Sequence, residues 1–185
     1  MDSLSLLERH YPPGTLAHRV LLSHGRDVAE LSAAVAERLS RATPVDIRLV
    51  IEAAWLHDIG IGLTATPRLG CCGTAPYIAH GVLGAELLRG AGLPRHALVC
   101  ERHIGVGLGI ADIDRQQLPL PRREMCPESL EEQIVAYADL FFSKNPDGPG
   151  GPHSVAAVRA KLGRFGTDKV AVFDRWHACF ALGGG

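Results

Sequence analysis

The stretch "AAWLHDIGIG", residues 53 to 62, constrains this chain more than any other. The apolar run Ala53, Ala54, Trp55, Leu56 reads as the buried end of a helix, and it delivers His57 and Asp58 side by side into the interior. Burying an imidazole and a carboxylate without partners costs several kcal/mol, on the order of the penalty for any unpaired buried polar group. A fold that contains this stretch has to bring partners to it.

The periodicity of the rest is helical, with no run of alternating strand-like segments. Helices are expected over about 15–41, bent near Gly25, and about 44–58, capped by Thr43 with Pro44 in the first turn and Asp46 near its positive end. Gly60 suits the exit of the second. Further helices are expected over 75–90 (capped by Thr74), 94–103, 129–143, 153–164 and 167–182. "SLEE" at 129–132 has the form of a capping box, Ser129 with Glu132. Residues 61–73 and 104–128 read as long loops, of the kind that cover binding sites. "NPDGPGGP", 145–152, reads as a turn-rich linker, and the final glycines as a frayed end. The expectation is one all-α domain over 1–185, with a core of about 16–144 and C-terminal helices over 153–182.

Placed on these helices, a set of polar residues falls on apolar faces. His24 shares a face with Val20, Val28 and Leu31, and His57 with Val50, Ala53 and Ala54. His80 aligns with Leu83 and Leu87, Asp139 with Val135 and Phe142, and His103 follows Leu98, Val99 and Cys100. One histidine on an apolar face is ordinarily a satisfied core residue. Five such places plus Asp58 leave too much inward polarity unless the groups meet, and a divalent metal is what brings such groups together. Neutral imidazoles with carboxylates suit Fe, Mn, Co, Ni or Zn, whereas Mg or Ca would take more oxygen ligands. Six ligands exceed what one open catalytic metal needs, so two metals per chain are expected, with Asp58 as the bridge.

His24, the pair His57–Asp58 and Asp139, in this order on successive helices, resemble the HD-domain superfamily of metal-dependent phosphohydrolases, and "HDIG" at 57–60 is a subgroup spelling. The likeness covers about residues 16–144. It implies a compact helical bundle in which His24, His57, Asp58 and Asp139 hold a metal. His80 and His103 match the extra histidines of binuclear members, and "PESLEEQIVAYADLFFSK", 127–144, is similar to the last metal-binding helix of small prokaryotic HDIG proteins. Ile61 stands where the cyclic-dinucleotide subgroup carries a lysine, and no Gly-Tyr-Pro occurs, which argues against a cyclic-dinucleotide substrate. The resemblance implies phosphoester hydrolysis of a nucleotide or related small molecule by a metal-activated water, with Asp58 and His57 at the catalytic centre. The same ligand order also resembles HD-fold di-iron oxygenases, and a non-catalytic metal- or nucleotide-sensing module is a third reading.

Lys144, just over a turn beyond Asp139, and Arg102, beside His103, are the candidates for holding a substrate phosphate, with a solvated surface charge as the alternative for each. Arg122 and Arg123 in the long loop are weaker candidates. His10, His18, His96, His153 and His177 join no such pattern and read as surface or packing residues. "GVGLG", 105–109, lacks the strand and helix of a dinucleotide fingerprint and reads as freedom for the loop after His103.

Charge and cysteine usage narrow the setting. A formal net charge of -1, from 19 basic and 20 acidic residues, gives no general attraction to nucleic acid polymers or an anionic membrane. No apolar run approaches the about 18 residues of a membrane span, and no signal peptide is expected. Five cysteines without a CxxC pair fit reduced thiols in the cytoplasm, Cys71–Cys72 included.

Overall fold

A computed structural model describes residues 3–144 and 151–181. Among these the chain forms α1 (Ser3–His10), α2 (Leu16–Leu39), α3 (Ile47–Leu56), α4 (His80–Gly90), α5 (Pro94–Arg102), α6 (Ile110–Gln116), α7 (Leu130–Asp139), α8 (Val155–Gly163) and α9 (Thr167–Phe180). The fold is all-α apart from one small hairpin, in which Ala65–Thr66 pairs antiparallel with Cys71–Cys72. No helix among the described residues is long and apolar enough to cross a membrane.

Two apolar cores lie on either side of the HD pair. One joins α2, α3, α7 and the C-terminal helices through Val28, Val50, Ala54, Val135 and Phe173. The other joins α1, the start of α2, the turn after Asp58, α4 and α5 through Leu7, Leu21, Leu56, Ile59, Leu88 and Cys100. His24 stands on α2 between Leu21 of one core and Val28 of the other. The polar cluster therefore sits at the seam, enclosed from both sides.

Several helix boundaries differ from the sequence expectation, for local reasons. Asp46, not Thr43, caps α3, its carboxylate accepting from the Leu49 N–H at 3.1 Å. α4 begins at His80 after a 3-10 turn over Tyr77–Ala79, so Thr74 is not a cap. Ser129 does cap α7, accepting from Glu132 N–H, but Glu132 reaches back one residue further, to the Glu128 N–H at 2.9 Å. α7 stops at Asp139, and the expected loop over 104–128 contains α6. α1 was not expected from the sequence, because its eight residues, though amphipathic, fall short of the roughly 11–18-residue window over which a helical period shows. The linker at 145–150 and the final glycines lie outside the described residues.

The glycines near the HD pair serve close approach. α2 runs unbroken through Gly25, where a Cβ would stand 3.1 Å from the Trp55 ring. Gly60 does not end a helix in the left-handed region; α3 has already ended, with His57 as its cap. A Cβ at Gly60 would lie 2.1 Å from His80 O and 2.4 Å from Gly84 N, both backbone atoms of α4. Gly60→Ala is therefore expected to cost more than the about 1–3 kcal/mol usual for overpacking, because backbone must move to make room. Urea denaturation of the metal-free protein measures it, and a loss below about 1 kcal/mol would show that α4 yields easily.

Candidate metal centre

The ligand-type residues stand mainly at helix ends. His57 caps the C-terminus of α3 and Asp58 follows it. His103 caps α5, His80 opens α4, Asp139 closes α7, and His24 alone is mid-helix. All but Asp139 are under 5% exposed, and the Asp139 side chain is 13% exposed.

This placement fixes the rings. His57 Nδ1 lies 2.6 Å from Ala54 O, His103 Nδ1 2.7 Å from Cys100 O, and His80 Nδ1 2.7 Å from Tyr77 O. Ala54 and Cys100 carry two of the carbonyls that a helix end leaves unpaired. A carbonyl only accepts, so each Nδ1 is the donor and each Nε2 points inward. The same backbone-to-histidine bond is the usual outer support of a metal-ligating imidazole.

The inward atoms form two groups that share one residue. His24 Nε2 is 3.3 Å from Asp58 Oδ2 and 2.9 Å from Asp139 Oδ1, and His57 Nε2 is 3.2 Å and 3.4 Å from the same two oxygens. On the other side, Asp58 Oδ1 is 3.3 Å from His80 Nε2 and 3.5 Å from His103 Nε2. His24, His57, Asp58 and Asp139 thus make one set of possible metal ligands, and Asp58, His80 and His103 a second. For bond lengths of about 2.1 Å, adjacent ligand atoms lie about 3.0 Å apart around an octahedral ion and about 3.4 Å around a tetrahedral one, which is the range found here.

Proton bookkeeping tests the fit. His80 Nε2 and His103 Nε2 face each other at 3.1 Å with both Nδ1 atoms already donating to carbonyls. Something positive has to sit between them. A proton on His103 is disfavoured, since burial pushes its imidazolium down to about 4. Asp58 Oδ1, the oxygen that faces these two histidines, is buried and has no well-aligned hydrogen bond. With both Nδ1 atoms donating outward, Asp58, His80 and His103 turn ligand atoms toward one another, a set that fits a metal cation.

The first group carries its own positive charge. Burial works to lower the His57 pKa, but Asp58 and Asp139 outweigh it and hold the imidazolium up to about 10. Burial also lowers His24. Against their own burial, Asp58 is held well below the carboxylate range by His57 and Lys144, and Asp139 by Lys144 and its histidine hydrogen bonds. A divalent ion entering here displaces a proton from His57. Below a pKa of about 10 that proton competes, so metal affinity is expected to fall as pH falls, by about tenfold per unit between about pH 8 and 6. Titration calorimetry in buffers of different ionisation enthalpy counts the released proton, and a pH-independent affinity would contradict the assignment.

Lys144 lies within the centre. Its Nζ is 3.0 Å from both Asp58 Oδ2 and Asp139 Oδ1, and the side chain is largely buried. Burial would lower its pKa, but Asp139 and Asp58 raise it, so the ammonium stays charged. Arg102, the other expected phosphate contact, is not at the site. It pairs with Glu132 at 2.9 Å and Glu128 at 3.2 Å, tying α5 to the start of α7, and it does not line the cavity beside the cluster. Arg122 pairs with Asp114 and Arg123 with Glu101. His18 is buried near Glu8, 3.7 Å away, and His96 near Glu52, 3.1 Å away, both outside the cluster. The five cysteines are free, and none joins the ligand sets.

A cavity of about 310 Å³ opens on the cluster, lined there by His80, His103, Asp139 and Lys144. Tyr77, which the sequence reading passed over, lines it too; its ring lies 4.8 Å from that of His80. Burial pushes its phenol up to about 12, so it stays a hydrogen-bond donor. Its position three residues before His80 is the only sequence signal that pointed to it.

Helical packing around a seam of two aspartates and four inward histidines defines a class, and the family comparison agrees. The chain belongs to the HD domain family, whose model matches residues 21–142. It is 39% identical over 143 residues to a protein of Thermoplasma volcanium named tRNA (cytidine(56)-2'-O)-methyltransferase, a match covering 77% of this chain and 37% of that protein. A protein of the same name from Picrophilus torridus is 39% identical over 110 residues, 59% of this chain and 28% of that one. The uncharacterised protein MJ0778 of Methanocaldococcus jannaschii is 43% identical over 100 residues, 53% of this chain and 52% of that one. The chain spans about half of the last protein's length and under two fifths of either methyltransferase. No solved structure matches it.

Proposed function

We propose that this chain hydrolyses a phosphoester of a small molecule at a site for two divalent transition metals, with Asp58 shared between them. The family and the His/Asp cluster support a metal-dependent hydrolase. The observation that carries the two-metal reading is the facing pair His80 Nε2 and His103 Nε2, which with Asp58 forms a second group of possible metal ligands.

The ions, when bound, lower the pKa of a coordinated water and offset charge on phosphoryl oxygens. The chain's own groups do the rest. His57, His80 and His103 are held in one tautomer by carbonyls, so their Nε2 atoms need no reorganisation. Lys144, kept charged, faces a phosphate as a fixed cation and not as a proton donor. The Tyr77 hydroxyl donates to an ester or phosphoryl oxygen at the cavity wall. In the reaction, the bond from phosphorus to the alcohol oxygen breaks as one to the water oxygen forms, and the alcohol leaves with the water's proton.

The methyl transfer named for two relatives is assigned, in this reading, to the larger part of those proteins that this chain does not match. The test is protein loaded with Mn, Co, Ni, Fe or Zn and assayed on nucleoside monophosphates, cyclic nucleotides, aryl phosphates and a short RNA. Release of phosphate or of a phosphomonoester from a small substrate is expected. Cleavage of the RNA alone would overturn the small-molecule assignment. Oxygen consumption by an iron-loaded sample that hydrolyses nothing would assign the oxidative reading.

A further inference from the structure

The family match ends at residue 142, yet later residues complete the cavity. Lys161, Leu162 and Phe165, from the end of α8 and the turn into α9, line the same space as His80, His103 and Asp139, and so does Lys169 of α9. Their commitments differ. Lys169 is occupied, donating to Gly107 O at 3.1 Å and pairing with Asp112. Lys161 is exposed and makes no ion pair among the described residues.

Phe165 is 49% exposed, a large apolar ring left half in water at a cavity wall. Its backbone is nonetheless fixed. The Phe165 N–H donates to Leu162 O at 2.9 Å, and its carbonyl accepts from Arg115 of α6 at 3.1 Å. Arg115 is in turn held by Asp112 at 2.6 Å. A rigidly seated, half-exposed aromatic with an uncommitted lysine four residues before it is suited to a planar ring that carries acceptor atoms. Between this end and the metal centre the walls are apolar, with Ile78, Val106, Leu108 and Leu118.

We propose that Phe165 and Lys161 select the leaving group: the substrate is a phosphomonoester whose alcohol bears a planar, nucleobase-like ring, the ring resting on Phe165 and its acceptor atoms meeting Lys161. This rests on the hydrolase reading for the phosphate, but recognition of the ring is separable from it. Metal-loaded wild type, Phe165→Ala and Lys161→Ala are assayed on AMP, phenyl phosphate and glycerol 3-phosphate, and adenosine binding is measured by calorimetry. Phe165→Ala is expected to raise KM for AMP and phenyl phosphate about tenfold, with kcat and the glycerol 3-phosphate kinetics unchanged, and to weaken adenosine about tenfold. Lys161→Ala is expected to raise KM for AMP only. Equal losses on all three substrates, or no change with Phe165→Ala, would overturn the proposal. If no phosphoester is hydrolysed but adenosine binding requires Phe165, the hydrolase reading fails and the ring site stands. If hydrolysis proceeds while adenosine binding ignores Phe165, the ring site falls alone.

Discussion

Replacing Asp58 by Ala should remove both metals at once. Its two oxygens address different histidine pairs: Oδ2 lies 3.3 Å and 3.2 Å from His24 and His57, and Oδ1 lies 3.3 Å and 3.5 Å from His80 and His103. No other residue belongs to both ligand sets. Loss of an outer supporting group alone typically costs about 10–100-fold in metal affinity, and loss of a shared ligand should exceed that for each ion. Metal analysis is expected to find two ions per wild-type chain and fewer than one in Asp58→Ala, with hydrolysis undetectable. His80→Ala and His103→Ala should each remove one ion and leave the site of His24, His57, Asp58 and Asp139 loaded. An Asp58→Ala protein that kept a full equivalent of metal would refute the shared-ligand arrangement, as would a His80→Ala protein that kept two.

That contrast follows from what the sequence shows and hides. The inward set was legible because His24, His57, His80, His103 and Asp139 interrupt apolar helical faces, with Asp58 beside His57, and the cost of burial demands that such groups meet. Their division, with Asp58 between His24, His57 and Asp139 on one side and His80 and His103 on the other, was expected from the family resemblance, but its structural cause was not legible. Asp58 is split between two groups because His57 ends α3, and the 3-10 turn from Ile59 to Leu63 then carries the chain against α4. That closeness depends on Gly60 lying against backbone of His80 and Gly84, a contact between segments twenty and more residues apart. Tyr11 is a similar case: its hydroxyl donates to Ile59 O at 2.8 Å and accepts from Gly62 N–H at 2.6 Å, steadying the same turn from α1. Helix ends were misjudged at α3 and α4 because Thr43 and Thr74 have the right chemistry for caps, while the side-chain cap of α3 is Asp46 and a 3-10 turn precedes α4. Arg102 and Lys144 looked alike as cations beside a ligand. Which one faced the site depended on distant carboxylates, Glu132 for the first and the Asp58–Asp139 pair for the second.

Lys144 makes the distinction testable, because its two possible roles predict opposite results. In the metal-free chain its ammonium lies 3.0 Å from one oxygen of each aspartate and offsets their buried charge. Removing one partner from such a buried arrangement typically destabilises by about 3–5 kcal/mol, so metal-free Lys144→Met should lose stability on that scale in urea, and added metal should restore it. If neutralising the aspartates were its whole role, the metal-loaded variant would hydrolyse at the wild-type rate, since ions then supply the positive charge. If the ammonium faces the phosphate in the cavity it lines, the loaded variant should lose about 10²–10³-fold in kcat/KM, the usual cost of deleting one fixed group that stabilises developing charge. Its metal affinity should stay level or rise, because no ammonium competes for Asp58 and Asp139. A variant with full metal content, restored stability and little activity would place Lys144 on the substrate. Full activity would reduce it to a stand-in for the metal.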